Sequence, residues 1–93
     1  MPLFVLTCID KPDGLEARMG AREAHLAYVR ESGVVKLAGP FLDANESMAG
    51  SMLIIEAEDL AAAKAFSGAD PYRKAGVFQS VDVRPFRLTI GSL

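Results

Sequence analysis

Residues 3 to 9, Leu-Phe-Val-Leu-Thr-Cys-Ile, constrain the architecture more than any other stretch of the chain. Side chains alternate along an extended strand, so Leu3, Val5 and Ile9 point to one side and Phe4, Leu6 and Cys8 to the other. A strand that is apolar on both sides is buried on both sides. Asp10-Lys11-Pro12-Asp13-Gly14 then ends the strand with turn chemistry.

The rest of the chain supplies one face of the covering. A helix is expected from about Leu15 to Ser32, with Gly33 placed to end it in a left-handed conformation. At about 100° per residue, Leu15, Met19, Leu26 and Val29 form its apolar stripe. Residues 34–38 read as a second strand, and Gly39-Pro40 ends its regular pairing. Leu42 to Ala49 reads as a polar loop, the most mobile segment. Ser51 to Ala57 is a third strand. Asp59 is positioned to cap a second helix from Leu60 to Phe66, stopped near Gly68. Asp70-Pro71-Tyr72 opens a short turn that closes at Gly76. Residues 77–84 alternate as a fourth strand, with Val77, Gln79, Val81 and Val83 opposite Phe78, Ser80, Asp82 and Arg84. Pro85 suggests an edge or exit position there.

The order β-α-β-β-α-β builds an α+β, ferredoxin-like fold: a four-stranded antiparallel sheet with two helices on one face. Those helices leave the second apolar face of the first strand uncovered. A second copy of the chain is the simplest cover, so a homodimer packed through the open sheet face is expected.

Size and charge narrow the function classes. At 93 residues the chain has room for one core, hence a single domain over residues 1–93. The formal net charge is −2 and the basic residues form no run. Both facts argue against nucleic acid and against a polybasic membrane anchor. Cys8 is the only cysteine, which excludes an intrachain disulfide and is consistent with a reducing compartment. The opening Met1-Pro2-Leu3-Phe4 does not read as a signal peptide, and no apolar run approaches the roughly 20 residues that span a bilayer. A cytoplasmic protein is the expectation.

His25 is the only histidine, and it is where proton chemistry near neutral pH would reside. It follows Arg22 by three positions and Arg18 by seven. Arg22 lies within about 20° of the centre of the apolar stripe, where a cation is costly unless it is paired or faces a cavity. Arg18, Arg22 and His25 together suggest an anion-binding and proton-transfer strip; the bland alternatives are a snorkelling arginine and a half-buried surface histidine. Asp70 before Pro71 is a helix-cap pattern, and a functional role requires the same carboxylate to reach His25. Tyr72 can offer a hydroxyl to such a pocket or merely pack over the sheet end. Ser51 is either a polar lining residue or a strand-end hydroxyl. No metal site is expected, because Cys8 and His25 have no partners at ligand spacing.

Arg22-x-x-His25-Leu26, Ala38-Gly39-Pro40, Gly50-Ser51, Ala69-Asp70-Pro71-Tyr72, Ala75-Gly76-Val77 and Val83-x-Pro85-Phe86 together resemble the YciI-like family in order and spacing. The resemblance implies a dimeric α+β barrel with one pocket per subunit and an active site of a His and an Asp, here His25 and Asp70. One relative dehalogenates a chlorinated hydroxylated aromatic, and muconolactone isomerases share the fold.

Two readings follow. In the first, the chain is a cofactor-free enzyme for isomerisation, elimination or dehalogenation of a small anionic or hydroxylated aromatic. His25 and Asp70 are then catalytic, and Arg22, Ser51 and Tyr72 bind substrate. In the second, the same strip binds a small ligand without chemistry. Haem binding through the lone histidine is a weaker third reading.

Overall fold

A computed structural model describes all of residues 1–93. Its elements run β1 (Leu3–Asp10), α1 (Leu15–Ser32), β2 (Val35–Leu42), β3 (Met48–Glu56), α2 (Leu60–Gly68), α3 (Pro71–Lys74) and β4 (Phe78–Phe86). The four strands form one antiparallel sheet in the order β2-β3-β1-β4, the ferredoxin-like arrangement.

The doubly apolar β1 occupies an interior position between β3 and β4. Phe4, Leu6 and Cys8 face Ile55, Leu53 and Ser51 of β3 in register, and all six are buried beneath the helices. Ala57 and Ala63 complete this core, with Val29 of α1 and Phe66 of α2 packed against it. Burying side chains such as Leu6, Leu53 and Ile55 contributes about 1.5–3 kcal/mol each before chain entropy is counted. Val5 and Ile54 pair on the opposite face, Val5 half-buried and Ile54 buried. Ile9 and Leu37 on that face each remain 43% exposed.

Local signals fix the helix ends. Gly33 takes φ +69°, the left-handed conformation that ends α1. The Asp59 carboxylate accepts the Ala62 N–H at 2.8 Å and caps α2. Asp70 does the same for α3 by accepting the Tyr72 N–H at 2.9 Å, with Pro71 at the first helical position.

Three expectations from the sequence are corrected. Gly39-Pro40 does not end β2, which pairs with β3 through Leu42. β2 is an edge strand, so the N–H that Pro40 lacks costs the sheet nothing on its outer side. The loop expected over Leu42 to Ala49 contracts to residues 43–47, because Met48 and Ala49 already belong to β3. That turn is tied down by Asp43, whose carboxylate accepts the N–H groups of Asn45 and Ser47 at 2.8 and 3.1 Å. In β4, Ile9 faces Ser80 while Asp10 faces Phe78, so Gln79 is an extra residue at a bulge. The bulge brings Phe78 onto the same packed side as Val81 and Val83, which strict alternation had placed opposite it.

Candidate active site

The face that α1 turns toward the sheet is polar. Arg18 and His25, seven residues and therefore about 20° apart, are its buried residues. Leu15 and Met19, expected in the core, are 44% and 50% exposed. The helix is thus rotated by roughly 75° from the apolar stripe read off the sequence. The cause lies in the sheet: continuing the alternation of β1 beyond Cys8 places Asp10 on the helix face, beside Ser51 across from Cys8. A buried carboxylate demands a cation, and Arg18 supplies it.

The match is bidentate. Arg18 Nε donates to Asp10 Oδ2 at 2.8 Å, and Nη2 donates to Oδ1 at 2.9 Å and to Ser51 Oγ at 2.8 Å. Burial alone would lower the Arg18 pKa; the hydrogen bonds and charge of Asp10 outweigh it and hold the guanidinium protonated.

Two turns further along, His25 Nδ1 lies 2.8 Å from Asp70 Oδ1 and 3.0 Å from Oδ2. A carboxylate only accepts, so Nδ1 carries a proton and donates; in the neutral imidazole Nε2 then holds the lone pair. Asp70 reaches His25 from the start of α3, with the same Oδ1 that caps that helix. Tyr72, two residues beyond, stacks on His25 with ring centroids 3.9 Å apart and 9° between planes. The Arg18 guanidinium lies 4.6 Å from the same ring's centroid. An imidazole and a guanidinium cannot share one side of a phenol at those distances, so Tyr72 is a wedge between them. Burial raises the Tyr72 phenol above its ordinary value, partly offset by the charges of Arg18 and Arg22, and the hydroxyl stays protonated near neutrality.

These groups border one cavity of about 180 Å³ between α1 and the β2–β3 side of the sheet. Arg18, Arg22, His25, Ser51 and Tyr72 form its polar wall, and Leu26, Val29, Pro40, Met48 and Leu53 its apolar one. A dry cavity of about 150 Å³ holds a benzene ring, so a single substituted ring fits this space.

No buried side-chain nitrogen or oxygen lacks a hydrogen-bond partner. Arg18 Nη1 takes no part in the bonds to Asp10 and Ser51, and His25 Nε2 takes none in the bond to Asp70. Both side chains line the cavity. Arg22 is exposed at the mouth and takes part in no ion pair. Cys8 is buried nearby, and its thiol is pushed up to about 12, first by desolvation and then by the Asp70 charge. It is no nucleophile at neutral pH.

The YCII-related domain model matches residues 2–87. The chain belongs to that family. Protein YciI of Escherichia coli O6:H1 is 43% identical over 94 aligned positions, covering 91% of this chain and 96% of the relative. Among solved structures, the 5-chloro-2-hydroxyhydroquinone dehydrochlorinase TftG of Burkholderia phenoliruptrix AC1100, in complex with 2,5-dihydroxybenzoquinone, superposes with a TM-score of 0.83. It is 35% identical, covering 96% of this chain and 95% of that one. An antibiotic biosynthesis monooxygenase, 14% identical with a TM-score of 0.60 over 97% of this chain and all of that one, shares the fold.

The YCII-related chain thus gathers every residue singled out from its sequence. His25, Arg22, Ser51 and Tyr72 line one cavity, and Asp70 stands behind His25. Sequence reasoning gave the misplaced cation as Arg22, whereas the fully buried one is Arg18. It read Asp10 as turn chemistry only. The signals that find both are the β1 alternation carried two residues past Cys8 and the seven-residue spacing of Arg18 and His25.

Proposed function

We propose that this member of the YCII-related family is an enzyme that uses His25 and Asp70 for acid/base chemistry on a small hydroxylated aromatic, by elimination, dehalogenation or isomerisation. The observation that carries the reading is a buried imidazole, held through Nδ1 by a carboxylate, in the wall of a ring-sized cavity that two arginines also line. Asp70 fixes the tautomer and orientation of the ring and stabilises the imidazolium that forms when Nε2 takes a proton. The likeness to a dehydrochlorinase in complex with a dihydroxybenzoquinone supports a substrate of that kind.

The proton relay needs no outside oxidant or reductant. His25 Nε2 takes a proton from a ring hydroxyl and returns it to the chlorinated carbon, which becomes tetrahedral while the oxygen becomes a carbonyl. A second hydroxyl then gives its proton to Nε2, its electron pair forms a second carbonyl, and the C–Cl bond breaks with chloride as the leaving group. The products are a hydroxyquinone, chloride and a proton that His25 passes to solvent. Without a leaving group the same relay ends at isomerisation. Arg18 Nη1 and Arg22 are the cationic donors for the oxygen that gains charge.

The test is incubation with 5-chloro-2-hydroxyhydroquinone, following chloride release and quinone absorbance together. Matched release above the buffer rate is expected, and its loss in His25→Ala. Saturable binding with no turnover would leave a ligand-binding module instead.

We also propose that the chain forms a homodimer through the open sheet face, where Ile9 and Leu37 are exposed. Light scattering at micromolar concentration is expected to give twice the 9.9 kDa chain mass; a monomer mass refutes the dimer.

A further inference from the structure

Arginine recognises carboxylates and phosphates with two parallel N–H donors, either through Nε and Nη2 or through Nη1 and Nη2. Neither pair is available in Arg18. Asp10 takes Nε and one hydrogen of Nη2. Ser51 Oγ takes the other hydrogen of Nη2. Nη1 alone takes no part in those bonds, on a side chain that is 98% removed from solvent and that lines the cavity beside the Tyr72 ring.

We propose that Asp10 and Ser51 are specificity-determining residues that restrict Arg18 to one ligand oxygen, so that the cavity selects ring phenolates and enolates and discriminates against carboxylates. This rests on the proposed chemistry at His25 and names its substrate class. The charge balance agrees with it. The Arg18 cation is already neutralised by Asp10. Arg22, at the mouth, is the one cavity cation without an acidic partner. A ring oxygen carrying part of a delocalised charge is satisfied by a single donor. A carboxylate that enters presents two oxygens to one nitrogen, and its second oxygen loses water without a replacement.

The selectivity is reversible in a stated direction. Ser51→Ala returns one hydrogen of Nη2 and restores the Nη1/Nη2 pair without changing any charge. Asp10→Ala frees the other pair and leaves the cation uncompensated. Both variants therefore gain carboxylate binding relative to quinone binding.

The experiment is calorimetric titration of wild-type protein with 2,5-dihydroxybenzoquinone and with benzoate at pH 7, repeated on Ser51→Ala and Asp10→Ala. Wild type is expected to bind the quinone at least tenfold more tightly than benzoate, and Ser51→Ala to narrow that ratio at least threefold. Asp10→Ala is expected to narrow it further; if that variant does not fold, Ser51→Ala decides alone. A wild-type ratio near one, an unchanged ratio in Ser51→Ala, or no binding of either ligand overturns the proposal. His25→Ala is the arm that separates the two proposals. It is expected to keep the ligand preference while losing turnover; in wild type, absent turnover with an intact preference sinks the enzyme reading alone. Turnover without a preference sinks this one alone.

Discussion

Tyr72 lies flat against His25, with 3.9 Å between ring centroids and 9° between planes, and holds the Arg18 guanidinium on its other side. The imidazole is therefore fixed by two contacts at right angles to each other in kind: a hydrogen bond in its plane from Asp70 and a stacked ring against its face. Both come from the same short segment, the Asp70 cap and the helix α3 that it starts. A proton carrier held this way can present Nε2 to a ligand without losing rotamer freedom at each turnover.

Replacing either member of the dyad is expected to remove turnover of 5-chloro-2-hydroxyhydroquinone while leaving the fold. His25→Ala deletes the proton carrier, and general acid–base contributions are about 10²–10⁴-fold. Asp70→Asn keeps an oxygen to accept the Tyr72 N–H, so α3 stays capped, but it removes the charge that favours the imidazolium. Steady-state kinetics with circular dichroism on both variants checks this. Wild-type rates in both would take the dyad out of the mechanism.

The Asp10–Arg18 pair is a stability element that single substitutions should expose. Both side chains are almost fully buried, at 2% and 4% exposure, so solvent screens neither. Arg18→Met leaves a bare buried carboxylate, and breaking such a pair costs about 3–5 kcal/mol. The double variant Asp10→Leu/Arg18→Met has no charge left to strand and is expected to recover most of that loss. Urea denaturation of the three proteins gives the comparison, and equal stability of the single and double variants would contradict it.

How far the sequence could be read follows from the same pair. The alternation of β1, the Asp59 and Asp70 caps and Gly33 are local signals, and each marks its element in the structure. Asp10 and Arg18 escaped because hydrophobic periodicity assumes that a helix turns its apolar stripe inward. Here the sheet beneath α1 carries Asp10 and Ser51, so the charged strip turns inward and Leu15 and Met19 turn out. The contact of His25 with Asp70 joins residues 45 positions apart, which no helical or strand spacing encodes. The family resemblance paired them; side-chain periodicity did not. Pro40 misled for a related reason: proline ends pairing in an interior strand, and β2 is an edge.

Gly50 is expected to be intolerant of any side chain. A Cβ there would lie 2.4 Å from the Cys8 carbonyl oxygen, a backbone atom of the neighbouring strand that cannot step aside. Gly50→Ala must therefore push β3 from β1 next to Ser51, with an overpacking cost of about 1–3 kcal/mol or more. Thermal unfolding measures the cost. Quinone affinity should fall as well, since Ser51 and the Arg18 fork move with the strand. An unchanged melting temperature would show that the strands can separate freely there.

Cys8 makes the pH dependence of stability testable at the alkaline end. Its folded thiol is raised from 9.0 to about 12 by burial, the Asp70 charge adding to it. Between those two values the unfolded chain releases the thiol proton while the folded chain keeps it. The unfolded state then binds fewer protons, so stability falls as pH rises. The loss begins above about pH 9 at up to about 1.4 kcal/mol per pH unit from this group. Cys8→Ala removes the thiol in both states, and its stability should fall less steeply over the same window, whatever the cost of the missing sulfur at pH 7. Denaturation midpoints for the two proteins at half-unit steps from pH 8 to 10.5 give the slopes. Parallel curves would mean that the native thiol ionises as readily as the unfolded one. A thiol reagent at pH 8 should agree with the slopes, leaving Cys8 unmodified in native protein and labelling it once urea opens the β1–β3 core.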